Sequence, residues 1–467
     1  MDCLERMELL SSWIWNGFFL PGIVVLGVLF LFQTGFLPIV RVREIWKHTL
    51  GEIFGGKGDQ NEISPFEVLC MALAGTVGTG SVVGTCQALS VGGPGALFWL
   101  WVASFLGMIV KFYEVTLAVV FRRRDENGEW VGGPMYYLSR GLKKGGRGLA
   151  ICFSVFALFS GFGMGNLAQG GSISSEVKRI ARLFCSLSTK EETVLSCLLA
   201  GGLFAVLCYL LLGGVKRIGK LTSFLTPLMS AIFVFLSGTV IVAHRAALPE
   251  VFRSVFRGAF SSRAVLGGVS GIGMKKALEW GLKRSAFSNE AGLGSAAIAH
   301  ASARTDHPVK QGFFGIVEVF ADTMVICTLT ALAVLVGVPA KAIFAHPDPD
   351  AELIIRSFSS VFGNGFATMF VGGCLILFAF STLIGWSFYG EGCARYLFGK
   401  KGRTLYRVLF CLVAAMGVLL PLRPIWVFSD LLNGLMSIPN LIGLLFLSET
   451  VQNQVNEYFQ KKKENPK

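Results

Sequence analysis

Apolar residues run through this chain in long uninterrupted stretches, not in the narrow stripes of a soluble helix. The clearest stretches cover approximately residues 14–33, 96–120, 149–173, 193–213, 221–243, 312–338, 364–389, 405–422 and 426–447. A helix needs about 20 mainly apolar residues to cross a bilayer, so each stretch predicts a membrane span. Two further segments are less regular. Residues 66–90 carry Gly75, Gly78, Gly80 and Gly84. Residues 264–303 are broken by a charged stretch from Lys275 to Arg284, then by Ser288, Asn289 and Glu290. Counting both predicts an all-α polytopic membrane protein of about eleven spans. The first stretch reads as a span, because no basic region precedes it and no small-residue cleavage site follows.

Composition agrees with this pattern. Of the 467 residues, 53% are hydrophobic and 15% charged, against about 25% charged in a soluble domain. Such a chain excludes a large cytosolic enzyme and excludes disorder, which needs low hydrophobicity and high charge. The 57 glycines suit helices whose backbones approach closely in a membrane. The eleven cysteines include no C-x-x-C pair, and the five histidines are dispersed. Neither a metal site nor a disulfide framework is supported, and the cysteines read as small buried hydrophobes.

The net charge of +13 raises the question of nucleic acid. With the N-terminus outside, the inside segments hold 25 Lys and Arg and the outside segments 12, five more lying within spans. That bias fits a cytoplasmic C-terminus. The most basic run, Arg122-Arg123-Arg124, directly follows a span, as an inside anchor does. The charges are scattered over six loops, so no nucleic-acid face is expected.

The irregular segments hold the candidate chemistry. The first reads Ala74-Gly75-Thr76-Val77-Gly78-Thr79-Gly80-Ser81. Glycine tolerates unusual backbone angles, and clustered glycines predict either an unwound helix or a continuous helix packed closely against a neighbour. Unwinding at membrane depth frees N–H groups for a carboxylate and carbonyls for a sodium ion. The second, Phe287-Ser288-Asn289-Glu290-Ala291-Gly292-Leu293-Gly294, interrupts a span with small polar residues. Numbering the spans after the first from one to ten, the interrupted ones are the first and the sixth. That spacing predicts two inverted five-helix repeats.

Polar residues inside a membrane need a reason. Gln169 either holds a ligand or makes an interhelical hydrogen bond. Ser381 and Thr382 either ligate sodium or bond back to their own helix. Glu318 and Asp322, four apart, share a helix face and line a proton path, a cation site or a water-filled cavity. Lys111 and Glu114, three apart, read as a structural ion pair or a snorkelling lysine. Glu290 reads as a helix-capping acid beside the break, with a place in the ion pathway as the alternative.

Several long motifs in order carry a resemblance. They are Gly92-Gly93-Pro94-Gly95-Ala96-Leu97-Phe98-Trp99-Leu100-Trp101-Val102, the glycines from Gly75 to Gly84, and Gly132-Gly133-Pro134-Met135-Tyr136-Tyr137. Further on come Phe287-Ser288-Asn289-Glu290-Ala291-Gly292, and Phe380-Ser381-Thr382 followed by Gly385-Trp386-Ser387. In these the chain resembles the alanine or glycine:cation symporters, often called sodium:alanine symporters. The resemblance implies the five-plus-five inverted-repeat fold of sodium-coupled leucine transporters, with one extra N-terminal helix. The expected organisation is that helix and a cytoplasmic loop over 1–65, repeats over 66–245 and 246–448, and a tail over 449–467. It implies sodium-coupled uptake of alanine or glycine across a prokaryotic plasma membrane, with Na+ as the co-transported ion and no other cofactor. Gly75, Thr76, Gly78, Thr79, Gly80, Gln169, Ser288, Asn289 and Gly292 would meet the amino acid. Ala74, Val77, Ser81, Ser381 and Thr382 would hold sodium.

Two residues depart from the family pattern. Ser81 stands where an asparagine is usual, which shortens the reach of its oxygen. Leu100 replaces the usual methionine, a swap that conserves volume. A proton-coupled transporter would use Glu318 or Asp322 as carrier. A membrane enzyme would need a polar catalytic cluster, and none is visible in the sequence. A sensor would usually add a soluble domain, whereas the longest loop is about 35 residues.

Overall fold

The computed structural model describes residues 3–55, 63–126, 128–260, 273–344 and 351–464. Among these, the structure is helical apart from one antiparallel pair of two-residue strands, Arg123–Arg124 and Trp130–Val131. Eight helices are long and apolar enough to cross a membrane: Leu4–Gln33, Gly95–Val120, Gly146–Ala181, Thr189–Leu212, Arg217–Ala243, Pro308–Gly337, Asn364–Gly417 and Pro424–Phe446. A bent pair, Pro65–Thr76 and Thr79–Gly92, meets the same test across a 43° break.

The predicted stretches map onto these helices with two informative differences. Residues 364–389 and 405–422 fall largely on two helices that join at a kink, without a loop, within the 54-residue stretch Asn364–Gly417. Straight, it would extend about 81 Å at 1.5 Å per residue, far beyond a bilayer core of about 30 Å. It turns instead at Gly399, whose φ of 66° and ψ of −155° are non-helical. Helix ends also run past the apolar stretches, because capping sets them. Ser64 with Glu67, and Ser188 with Glu191, form reciprocal capping boxes at Pro65–Thr76 and Thr189–Leu212. Of the second irregular segment, residues 264–272 lie outside the described residues. The remainder contains Met274–Asn289 and Ser295–His300.

Burial separates central from peripheral helices. The apolar window of Gly95–Val120 is 72% buried by protein, that of Thr189–Leu212 only 28%. Exposed Leu198, Tyr209, Phe224 and Phe235 lie on the peripheral helices, where a bilayer would cover them. The central helix packs against Met274–Asn289 and Pro308–Val319, bringing the second interrupted segment into the middle of the molecule.

The glycine-rich motif at 92–95 is a turn followed by a backbone crossing. Gly93, at φ 71°, ends the helix Thr79–Gly92. A Cβ on Gly95 would lie 2.3 Å from the carbonyl carbon of Gly258, on the helix Leu248–Phe260. The basic run is also built into the fold. Arg122 donates to the carbonyls of Ala301, Ala303 and Thr305 at 3.3, 2.5 and 3.3 Å, gripping the chain after the second interrupted helix. Arg123 and Arg124 lie over the rings of Tyr136 and Trp130.

The crossing predicts a selective cost. Gly95→Ala should destabilise the protein by about 1–3 kcal/mol, read as a lower thermal unfolding midpoint in detergent. Gly201→Ala, where a Cβ meets nothing within 4 Å, should not lower it.

Candidate functional site

The first break is two residues long. The helix Pro65–Thr76 ends after Ala74, Gly75 and Thr76, and Thr79–Gly92 begins beyond Val77 and Gly78. Val77 has ψ 89° and Gly78 is extended, at φ −137° and ψ −163°. The first-turn N–H groups of the new helix, from Thr79 and Gly80 onward, have no acceptor within it. Ser81 Nα donates to the Gly78 carbonyl at 3.2 Å, so Ser81 closes the first turn.

The second break is longer. Met274–Asn289 ends at Glu290, which is left-handed at φ 55°, and Gly292 and Gly294 follow at φ 86° and 81°. Side chains pin this irregular segment. Asn289 Oδ1 accepts from Ala291 N at 3.0 Å. Glu290 accepts from the Trp386 indole at 2.9 Å and from the Ser295 hydroxyl, so it ties the break to the next helix. Asn440 Nδ2 donates to the Gly292 carbonyl at 2.9 Å.

The two breaks meet through Asp322. Ser81 Oγ, from the first, donates to Asp322 Oδ1 at 2.6 Å, and Ser288 Oγ, from the second, donates to Oδ2 at 2.6 Å. The two hydroxyls are 2.9 Å apart. Thr323 Oγ1 adds a third donor at 2.9 Å and accepts from Asn289 Nδ2 at 3.1 Å. All five side chains are buried. Among the described residues, no Lys, Arg or His forms an ion pair with Asp322. Thr323 was missed in the sequence, although its position beside a carboxylate in a span was a signal.

A third element walls the first break. The helix Asn364–Gly417 crosses it so closely that a Cβ on Gly385 would lie 2.7 Å from Gly75 N. A Cβ on Gly78 would lie 2.5 Å from Thr382 Oγ1. Both hydroxyls of Ser381 and Thr382 donate to Phe378 O at 2.9 Å, and Ser381 Oγ lies 3.4 Å from the Ala74 carbonyl. The bond back to the helix is thus present. It occupies the hydrogen only and leaves oxygen lone pairs facing the break.

Gln169 reaches the same place from a fourth direction. It follows a π-helical turn, Gly163–Leu167, a device common at functional sites. Thr79 Oγ1 donates to Gln169 Oε1 at 3.1 Å, and Gln169 Nε2 donates to Met164 O at 3.0 Å. The interhelical bond predicted as one alternative is made, and it sets the amide beside the break.

Two expectations about charged residues need correction. Lys111 neither snorkels nor pairs with Glu114. Its Nζ donates to Glu318 at 3.3 Å across a helix interface, and His300 Nε2 lies 3.0 Å from the other carboxylate oxygen. Gln311 Nε2 lies 2.8 Å from His300 Nδ1, and Asn440 Nδ2 donates to Glu114 at 2.6 Å. Glu318 and Asp322 also do not form one cluster. Helix Pro308–Val319 passes into a π-helical segment, Phe320–Cys327, between them. The wider turn changes the register, so Glu318 serves Lys111 and Asp322 serves the breaks.

The geometry is thus two broken helices joined by one carboxylate, with hydroxyls and an amide around the first break. A family model described as the sodium:alanine symporter family matches residues 2–467. The chain belongs to that family. It is 38% identical over 463 residues to the sodium/alanine symporter AgcS of Methanococcus maripaludis, covering 98% of each chain. It is 33% identical over 451 residues to the probable sodium/glutamine symporter GlnT of Bacillus subtilis, covering 96% of this chain and 89% of that one. Among solved structures, a variant of the manganese transporter of Eremococcus coleocola superposes with a TM-score of 0.56 at 12% identity, over 86% of this chain and 81% of that one. That likeness shows a shared fold alone. Family and apolar helices together make this a multi-pass membrane transporter.

The buried ion pair yields a stability prediction. Lys111→Met leaves Glu318 without its lysine and should cost about 3–5 kcal/mol, read from chemical unfolding in detergent. Lys111→Met with Glu318→Gln should recover part of that loss, because no charge is then stranded.

Proposed function

We propose that this family member is a sodium-coupled symporter of a small neutral amino acid, alanine or glycine. The observation that carries the reading is the junction of the two breaks at Ser81, Ser288 and Asp322, beside the hydroxyls of Ser381 and Thr382. We read the helices as eleven spans: the eight apolar helices, with Asn364–Gly417 counted as two about Gly399, and the two broken helices. On this reading the chain is one N-terminal helix followed by inverted repeats over 66–245 and 246–448, the tail following from 449. Its N-terminus is outside and its C-terminus cytoplasmic, in a prokaryotic plasma membrane.

The substrate carboxylate meets the first-turn N–H groups around Gly78, Thr79 and Gly80, where the helix dipole favours an anion. Gln169, Ser288, Asn289 and the Gly292 break surround the rest of the ligand. Gly75, Gly78 and Gly80, with Thr76 and Thr79, leave room for a short side chain only. Sodium sits between carbonyls at Ala74 and Val77 and the oxygens of Ser381 and Thr382, with Ser81 and Asp322 facing the other side of the break. Coupling follows if ion and substrate together favour one arrangement of the broken helices.

A second reading rests on Asp322. A buried carboxylate that, among the described residues, is hydrogen-bonded by hydroxyls and no cation is also suited to carry a proton, and on that reading uptake follows the pH gradient. Alanine uptake into proteoliposomes separates the two. A sodium gradient should drive accumulation at constant pH, and an equal potassium gradient should not. Accumulation driven by pH alone, without sodium, would assign the coupling to Asp322.

Two variants test the site. Gly80→Leu should abolish uptake while the protein still inserts, because the side chain would enter the pocket beside Phe287, already 3.4 Å from a Cβ there. Thr382→Val should raise the sodium concentration for half-maximal uptake by about tenfold, the equivalent of about 1.4 kcal/mol. An unchanged sodium dependence refutes the role given to Thr382.

A further inference from the structure

One motif of the sequence has no place in the arrangement above, Gly132-Gly133-Pro134-Met135-Tyr136-Tyr137. In the structure it packs against the chain that follows the second break. A Cβ on Gly133, at φ 110°, would lie 2.7 Å from Ile298 Cγ1, and one on Gly132 would lie 2.6 Å from Ala301 Cβ. Pro134 Cγ lies 2.6 Å from the place of a Cβ on Gly294. The small residues let the helix Pro134–Gly141 press directly on the end of the break.

The motif ends in Tyr137, and Tyr137 leads to Asn440. Its hydroxyl donates to Asn440 Oδ1, on the helix Leu422–Phe446. Asn440 Nδ2 donates twice, to Glu114 Oε1 at 2.6 Å and to the Gly292 carbonyl at 2.9 Å. The side chains of Tyr137, Asn440 and Glu114 are all buried. One amide thus joins the last apolar helix, the helix Gly95–Val120, the motif and the second break. A Cβ on Gly294 would lie 2.9 Å from Asn440 Cγ, so the amide is wedged against the turn as well. Phe19 of the N-terminal helix closes in on the same turn, its Cε2 3.1 Å from the place of a Cβ on Gly292.

The direction of these bonds follows from what each group can do. A backbone carbonyl only accepts, so Gly292 can be held here only by a donor. An amide has one oxygen and one NH2 group, and Asn440 faces two acceptors and one hydroxyl. Only one orientation serves all three: oxygen toward Tyr137, nitrogen toward Glu114 and Gly292. Tyr137, by donating, fixes that orientation. The carbonyl it secures is one of the backbone groups released by the break, which needs a partner at membrane depth. Asn289, at the start of the same break, bonds Ala291 N and Thr323. A shift at Gly292 therefore moves the residues read above as surrounding the ligand.

We propose that Asn440 is a positioning residue for the amino-acid site: with its amide oriented by Tyr137, it sets where the Gly292 break stands against the substrate. The inference rests on the reading that the chain carries alanine or glycine. Asn440 acts through the Gly292 carbonyl, and Tyr137 acts through Asn440.

Equilibrium dialysis against the full chain in detergent tests it, with radiolabelled alanine at saturating sodium and, separately, radiolabelled sodium without alanine. Asn440→Asp keeps the size of the side chain but turns the donor into an oxygen facing two acceptors. Even a proton on that oxygen could restore only one of the two bonds. The alanine dissociation constant should rise about tenfold or more. That of sodium, whose proposed contacts come from the first break and from Ser381 and Thr382, should change by less than about threefold. Tyr137→Phe removes only the hydroxyl and should weaken alanine about threefold with the same selectivity. It carries the test if Asn440→Asp fails to fold, each variant being checked for a monodisperse elution profile. Unchanged alanine binding in the folded variants overturns the role of Asn440 and leaves the alanine reading standing. Equal weakening of alanine and sodium overturns it too, because a general loss of structure would act on both. No alanine bound by folded wild-type protein overturns the alanine reading and the inference with it.

Discussion

A helix broken at membrane depth must find partners for the backbone groups it releases, and the rest of this structure follows from that requirement. The first break cannot be hydrated by lipid, so it is enclosed by protein on several sides. Gly385 allows the crossing helix to approach Gly75, and Thr382 sits against Gly78. Thr79 reaches Gln169, and Ser81 reaches Asp322. The second break is pinned by Asn440, Asn289 and the Glu290–Trp386 bond. Asp322 then joins one break to the other. A displacement of either break therefore strains the hydrogen bonds that hold the other.

Charge is distributed in layers around this junction. Among the described residues, Asp322 is hydrogen-bonded by three hydroxyls, those of Ser81, Ser288 and Thr323. Lys111, Glu318, His300 and Gln311 form a separate, fully buried chain that holds Gly95–Val120 against Pro308–Val319. Its pairing matters because a lone charge at that depth would be far more costly than the matched set. Glycine performs different tasks in these layers: Gly95 and Gly385 permit helices to cross at backbone distance, whereas Gly292 and Gly294 adopt left-handed angles that turn the chain.

Much of this was legible before the fold was known. Apolar length predicted the apolar helices, clustered glycines offered the first break as one of two readings, and Ser288-Asn289-Glu290 predicted the second. Gln169, Ser381 and Thr382 were marked by polarity at membrane depth, and the structure brings all three to the first break. Pairing was not legible. Lys111 has Glu114 three residues away, yet its counter-charge is Glu318, 207 residues distant. Glu318 and Asp322 have the spacing of one helix face, but a π-helical segment assigns them to different clusters. Arg284 appeared in the sequence only as one of five charges inside spans, although its depth was itself a signal.

By itself the sequence determined class, the apolar helices, family and the two irregular segments, because these depend on local composition: transfer of side chains to lipid, and the freedom of glycine backbones. Only the tertiary structure decided which polar groups meet. A buried hydroxyl, carboxylate or guanidinium takes whichever partner packing brings within about 3 Å, and packing joins helices hundreds of residues apart. Ser81, Ser288 and Asp322 become one hydrogen-bonded cluster for that reason, and among the described residues Arg284 is left without a hydrogen-bond or ion-pair partner for the same reason.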